Sequence, residues 1–361
     1  MTLTYLDLTP EQRASLEDLP FDGNHLISGP PGSGKSLLAA QRAVMLALTG
    51  TPAVLLTRSN LLRQSLAAVV HALGPVDRSV RVATAHSWLA EWYGTKAPRS
   101  DDGWYDWHAF FERAAETEPV AGPTLVIDEG QDLPPEFYRL CRLLQARTTV
   151  FADECQRLTE TNSTLAEITQ RLGNCTRREL NGNHRNTHQI AAFAAHFHTG
   201  AGTPALPDRD GSPPRLHHLP QRGAADLVIL LAQRHPGRSI GVIVNSTHAQ
   251  FSLLGSLERR APRLKPQMYT AKATQGRYRN LDLSRPGVVL VHRASAKGLG
   301  FDTVVVPDTH TDAAADPTSA ALRMTYYVLA TRARQELHFG YEGENEPPLI
   351  ATVPRGVLQR G

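Results

Sequence analysis

Lysine is scarce in this chain: five of its 38 basic residues are lysines and the rest are arginines, so a lysine inside a motif is hard to read as incidental. Cysteine is scarcer. Cys141, Cys155 and Cys175 are odd in number and widely spaced, with no C-x-x-C pair, which excludes a disulfide framework and a cysteine-built zinc site and predicts ordinary buried thiols. Apolar runs long enough to span a bilayer are missing. Met1-Thr2-Leu3-Thr4-Tyr5 lacks the basic-then-apolar order of a signal peptide, so the expectation is a cytoplasmic protein with no membrane partner. Aromatic residues make up only 6% of the chain, and all four tryptophans fall between Trp88 and Trp107. The formal charge of +3 is too small to demand or exclude a polyanionic partner.

Against these absences stands Gly29-Pro30-Pro31-Gly32-Ser33-Gly34-Lys35-Ser36, which satisfies G-x-x-x-x-G-K-[ST] directly after the apolar pair Leu26-Ile27. Glycines let backbone N–H groups curl around phosphates, Lys35 can neutralise the outer phosphates, and the Ser36 hydroxyl can hold Mg²⁺ at a helix N-terminus. A chance glycine-rich turn is the alternative, but Leu37-Leu38-Ala39-Ala40 continues as a good helix. The motif therefore predicts a nucleoside triphosphate site.

At 361 residues the chain has room for two domains, and short β-branched runs alternating with helical stretches predict parallel sheets. Expected strands are 26–28, 53–57, 80–84, 125–128 and 148–152 in the first half, and 215–219, 240–245, 267–270, 288–292, 303–307 and 336–340 in the second. The fold class is thus α/β with two P-loop-type units, 1–175 carrying a short insert near 88–122, and 176–361. The boundary is placed between Arg171 and Arg185. Residues 200–214, rich in Gly, Pro and Asp, read as a surface loop.

Leu125-Val126-Ile127-Asp128-Glu129-Gly130-Gln131-Asp132 is an apolar strand ending in carboxylates. Asp128 can hold Mg²⁺ through its water shell, and Glu129 can orient or deprotonate the attacking water. Val150-Phe151-Ala152-Asp153-Glu154-Cys155-Gln156 repeats the pattern, with Gln156 a candidate sensor of the γ-phosphate. From Leu257 to Arg279 the chain carries seven cations against Glu258 alone, with Tyr269 and Tyr278 interleaved. That stretch reads equally as a phosphate contact or a solvated arginine-rich loop.

The order of these motifs resembles the UvrD/Rep/PcrA branch of superfamily 1 helicases, over nearly the whole chain. Leu8-Thr9-Pro10-Glu11-Gln12 is similar to its adenine-reading motif, with Gln12 as the amide. Leu56-Thr57-Arg58-Ser59-Asn60 and Thr84-Ala85-His86-Ser87 resemble the segments that face single-stranded DNA, which implies contacts from Arg58, Asn60, His86 and Ser87. Asp128 to Asp132 resembles D-E-x-Q-D, Ala152 to Gln156 G-D-x-x-Q, Asn183-His184-Arg185 N-Y-R, Ser295 to Phe301 S-A-K-G-L-E-F, and Tyr327 to Ala333 Y-V-A-x-T-R-A. The resemblance implies two RecA-like domains with ATP and Mg²⁺ between them. Arg185 and Arg332 are implied to reach the γ-phosphate from the second domain, His184 and Gly298 to line the nucleotide, and Lys297 to meet nucleic acid. It also implies 3′ to 5′ movement on single-stranded DNA, with RNA left open.

The pattern also departs from that branch. The large accessory inserts are missing, which bears on strand separation more than on translocation. Arg58 and Ala85 stand where base-stacking rings are expected, and Gly300 and Ala294 replace a glutamate and a histidine. Trp88, Trp92, Trp104 and Trp107, with Tyr93 and Tyr105, form either a substitute stacking surface, a docking patch or a small core under the truncated insert. The reading that follows is an ATP-driven translocase; the alternative is an ATPase switch controlling a partner such as a nuclease. A small-molecule kinase would leave Arg185, Lys297 and Arg332 unexplained.

Overall fold

A computed structural model describes residues 5–74, 79–94, 96–117, 122–153, 163–199, 206–220, 223–273, 275–283 and 285–361. The chain divides into two compact units, 1–182 and 183–361. In the first, strands β1 (Asn24–Ser28), β2 (Ala53–Thr57), β3 (Val80–Thr84), β4 (Thr124–Asp128), β5 (Arg147–Ala152) and β6 (Cys175–Glu179) form one sheet in the order β3-β2-β4-β5-β1-β6. Every pairing is parallel. β4 is buried at all five positions, as a strand covered on both faces must be. Helix Lys35–Leu48 joins Leu38, Ala39 and Ala43 to Ile27, Leu55 and Phe151 in one core; Trp88, Trp104, Phe110 and Phe137 join Leu125 and Ile127 in another.

The second unit holds β7 (Arg215–His218), β8 (Ile240–Val244), β9 (Gln267–Tyr269), β10 (Val288–His292), β11 (Phe301–Val306), β12 (Ala333–Tyr341) and β13 (Gln359–Arg360), ordered β13-β7-β12-β11-β8-β10-β9 and again parallel throughout. Both units are therefore α/β with a parallel sheet flanked by helices. The expected strands are present, and β6 and β13 are added.

The strand order sets the site. β5 lies between β1 and β4, with Ile27 beside Phe151 and Phe151 beside Asp128. Asp153, directly after β5, therefore emerges between the glycine-rich loop after β1 and the acids after β4, at the carboxyl edge where open parallel sheets bind ligands. No helix among the described residues is long and apolar enough to cross a membrane. Cys141 is buried, Cys175 only partly, because β6 is an edge strand, and Cys155 lies outside the described residues.

Candidate nucleotide site and its neighbours

The loop from Gly29 turns back on itself before helix Lys35–Leu48. Gly32 and Gly34 have φ of 88° and 92°, the left-handed region that side chains resist. A side chain at Gly34 would also collide with the Gln12 amide. Gly34 caps the helix with no side-chain bond, so its first N–H groups remain oriented for an anion. Ser33 is almost fully buried. Its carbonyl accepts from Gln12 Nε2 at 2.9 Å, while Gln12 Oε1 accepts from the Thr9 backbone N–H at 3.0 Å. Gln12 thus ties the capping box of helix Pro10–Glu17 to the glycine-rich loop. Lys35 is 7% exposed, and its Nζ donates to the Gly29 and Pro30 carbonyls at 2.6 and 2.8 Å and to Asp153 at 3.4 Å. Pro31 and Gly32 are buried in the same turn.

Asp128 ends β4 and is fully enclosed. Burial, then the charge of Glu129, pushes its carboxyl up; the Ser36 hydroxyl, which hydrogen-bonds to it, and Lys35 oppose that shift. Its Oδ2 has no hydrogen-bond partner among the described residues. A buried, unsatisfied carboxylate oxygen beside a hydroxyl and a lysine fits the hard-oxygen chemistry of Mg²⁺, so Asp128 and Ser36 are the residues that would hold it.

Glu129 follows at φ 54° and ψ 47°, a strained conformation for a side-chain-bearing residue, costing about 1–3 kcal/mol. The surroundings impose it. A side chain at Gly130 would strike Val150, the Tyr138 hydroxyl donates to the Gly130 carbonyl at 2.5 Å, and the Asp132 N–H closes on the Glu129 carbonyl at 2.9 Å. Gln131, 1% exposed, donates from Nε2 to Glu129 Oε2 at 2.5 Å and accepts the Asp153 N–H on Oε1 at 2.9 Å. Glu129, Gln131, Asp153 and Lys35 thereby form one connected series. Gln131 and Asp153 stand inside the motifs read from the sequence, but neither received a role there; the signal was an amide two residues past Glu129 and an acid at the end of β5. Gln156 lies outside the described residues.

Of the residues expected to face nucleic acid, Arg58, Asn60, His86 and Ser87 lie past β2 and β3, and Lys297 lies in the second unit. His86 stacks on Trp104 with centroids 4.2 Å apart and an interplanar angle of 16°, and the Arg58 guanidinium lies over the same ring at 5.4 Å. Burial pulls the His86 pKa down. Ser87 belongs to the capping box of helix Ala85–Tyr93, and Asn60 accepts from Arg63 at 3.1 Å. Trp88 and Trp104 are buried, and Trp92 and Trp107 are half-buried around Phe110. The tryptophans are the small core beneath the insert, with Trp104 roofed by Arg58 and His86.

In the second unit Asn183 accepts the Arg185 and Asn186 N–H groups at 3.2 and 3.3 Å. Buried Asn186 donates to the Thr331 and Ala333 carbonyls, joining this turn to the segment carrying Arg332. Arg332 is 1% exposed and donates to the Val328 and Leu299 carbonyls and the Thr331 hydroxyl at 2.9, 3.2 and 3.0 Å. Arg185, half-buried, reaches the same Leu299 carbonyl at 3.5 Å. Gly298 has φ 78°, turning the chain between half-buried Lys297 and Leu299, and His184 is exposed, next in sequence to Arg185. Gly300 faces Arg185 and Arg334, where a side chain would meet both guanidiniums.

No protein-family model and no curated protein sequence matches the chain. Among solved structures it is similar to Dbp5 of S. cerevisiae bound to RNA and ADP BeF3, at 14% identity and a TM-score of 0.56, covering 99% of this chain and 90% of that one. A point variant of Dbp5, also bound to RNA and ADP BeF3, matches at 14% identity and a TM-score of 0.55 over 99% and 94%. This likeness establishes the fold: two RecA-like α/β domains.

Proposed function

We propose that this chain is an ATP-driven translocase on nucleic acid, of the helicase type, with single-stranded DNA as its track and 3′ to 5′ polarity as the resemblance implies. The observation that carries the reading is the series of Ser36, Asp128, Glu129, Gln131, Asp153 and Lys35, gathered by strand order at one sheet edge. The lysine and the first N–H groups of helix Lys35–Leu48 bind and orient the outer phosphates. Glu129 takes the proton of the attacking water, with Gln131 fixing the direction of its carboxylate. When bound, Mg²⁺ supplies charge neutralisation at the β- and γ-phosphates. Arg185 and Arg332 are assigned by the resemblance to the closing step. Dbp5 is a neighbour whose structure holds RNA, which supports a nucleic-acid partner without deciding between DNA and RNA.

A switch controlling a partner such as a nuclease is the second reading. It is favoured by Trp104, whose ring is covered by Arg58 and His86 instead of being presented to bases. Steady-state ATP hydrolysis with and without single-stranded DNA, duplex DNA and RNA, against Lys35→Ala, separates the two. Stimulation of at least severalfold by single strands, absent in Lys35→Ala, is the expected result; hydrolysis indifferent to every nucleic acid would sink the motor and leave the switch.

A further inference from the structure

The basic stretch from Leu257 to Arg279 is not used by the nucleotide site. It spans the last turn of helix Thr247–Arg260, a short 3-10 turn at Pro262–Leu264, the edge strand β9 and the loop after it. Arg259, Arg260, Arg263, Lys265 and Arg277 are exposed, and Lys272 is open to solvent at the loop's start. Two of them meet acids: Arg260 pairs with Asp226, and Arg277 with Glu258 at 3.3 Å. Arg259, Arg263, Lys265 and Lys272 make no ion pair among the described residues, so the patch holds cationic charge that those residues do not balance.

The described residues on either side of the loop are also tied to rings. The Thr270 N–H donates to the Tyr278 carbonyl at 2.9 Å, closing the loop, and Arg279 donates to the Tyr269 hydroxyl at 3.1 Å. Arg277, 65% exposed, lies over the Tyr278 ring at 4.7 Å. Phe251, from the helix, meets Tyr278 edge-on with centroids 5.3 Å apart and is 45% exposed, one of the few large apolar side chains left open to solvent. A merely solvated arginine loop needs no such ring beside its cations. An exposed ring packed on a second ring that carries a guanidinium, in a stretch whose other cations make no ion pair among the described residues, offers what a splayed base and its phosphates require.

Register places this patch. Tyr269 of β9 lies beside Val291 of β10, so the loop after β9 and the turn that leads to Lys297 leave the same edge of the same sheet. We propose that Phe251, Tyr278, Arg277 and Lys272 form a second single-strand contact, in which a base stacks on Phe251 and the neighbouring phosphates meet the cations. The proposal rests on the nucleic-acid reading above and adds to it an anchoring surface on the second unit. It also gives the chain base contact in rings that the segments after β2 and β3 do not expose.

Anisotropy of labelled oligo-dT, oligo-U and a duplex, titrated with the full chain at several salt concentrations, tests it on wild type, Phe251→Ala and the double variant Lys272→Ala/Arg277→Ala. Phe251→Ala is expected to weaken single-strand binding about tenfold and spare the duplex. The double variant is expected to flatten the salt dependence by about 1.4 in log–log slope, or about 0.7 per lost phosphate contact. Hydrolysis of ATP without nucleic acid stays at the wild-type rate in both variants. If wild type binds single strands and both variants bind equally well, the patch is wrong while the motor reading survives. Equal losses on single strand and duplex in Phe251→Ala would overturn base stacking. A wild type that binds none of the three oligomers removes the reading beneath the proposal and the proposal with it.

Discussion

Gln131 shows how one buried amide organises a site. Its two polar atoms face a carboxylate and a backbone N–H, so the amide can sit in only one orientation, and that orientation points Glu129. Substituting Gln131→Leu keeps the volume, removes both bonds and leaves the Glu129 carboxylate without its guide. The expected outcome is a kcat for ATP lowered by about 10–100-fold with KM changed little, since phosphate binding by Lys35 and the glycine-rich loop is untouched. Steady-state kinetics with a circular dichroism check of folding reads this directly; an unchanged kcat would remove Gln131 from the site. The two arginines of the second unit separate in the same way. Arg332 is enclosed and holds three acceptors, so Arg332→Ala should cost about 2–4 kcal/mol of stability, seen as a lower urea midpoint. Arg185→Ala, at a less enclosed position, should leave that midpoint nearly unchanged and lower kcat.

At the level of elements, the start of β12 carries a hydrogen-bonded ladder of polar side chains with no place in the nucleotide site. Glu336 accepts from Arg238 at 2.7 Å and lies 3.1 Å from His235 and 3.5 Å from His338, whose other ring nitrogen is 3.0 Å from His217 of β7. The hydrogen bond from His338, with Arg238 and His235, holds the Glu336 carboxyl down to about 2 against its burial. Burial, with His338 and Arg215 nearby, holds His217 at about 4. The signs agree. Between pH 6.5 and 4 the unfolded chain binds a proton at His217 that the folded one refuses, and between pH 4.5 and 2 it does so at Glu336, so stability falls as pH falls through both windows. Glu336→Gln should be less stable than wild type at pH 7, by on the order of 2 kcal/mol after allowance for partial exposure, and should lose the steeper slope below pH 4.5. Urea unfolding at pH 7, 5 and 3 checks both limbs.

For the molecule as a whole, each unit has its own sheet and its own core. Two bodies of this size, about 180 residues each, should unfold as more than one cooperative block. Calorimetry is expected to give a calorimetric enthalpy clearly above the van't Hoff enthalpy, with ADP raising the step that carries the glycine-rich loop. A single transition with equal enthalpies would show the units melting as one.

What the chain's order of residues determined alone was periodicity and punctuation. Apolar β-branched runs announced β1 to β5 and most of the second sheet, and Gly32, Gly34, Lys35, Asp128 and Glu129 stood in spacings whose chemistry is local. β6 was not legible, because an edge strand reading Cys-Thr-Arg-Arg-Glu buries little and carries no apolar signal. Nor was the series from Glu129 through Gln131 and Asp153 to Lys35, because its members are brought together only by the insertion of β5 between β1 and β4. The burial of Arg332, the roofing of Trp104 and the meeting of Phe251 with Tyr278 were likewise decided in three dimensions. Side chains far apart in sequence meet through strand order and helix packing, and these follow from the burial of whole faces, which no short motif encodes.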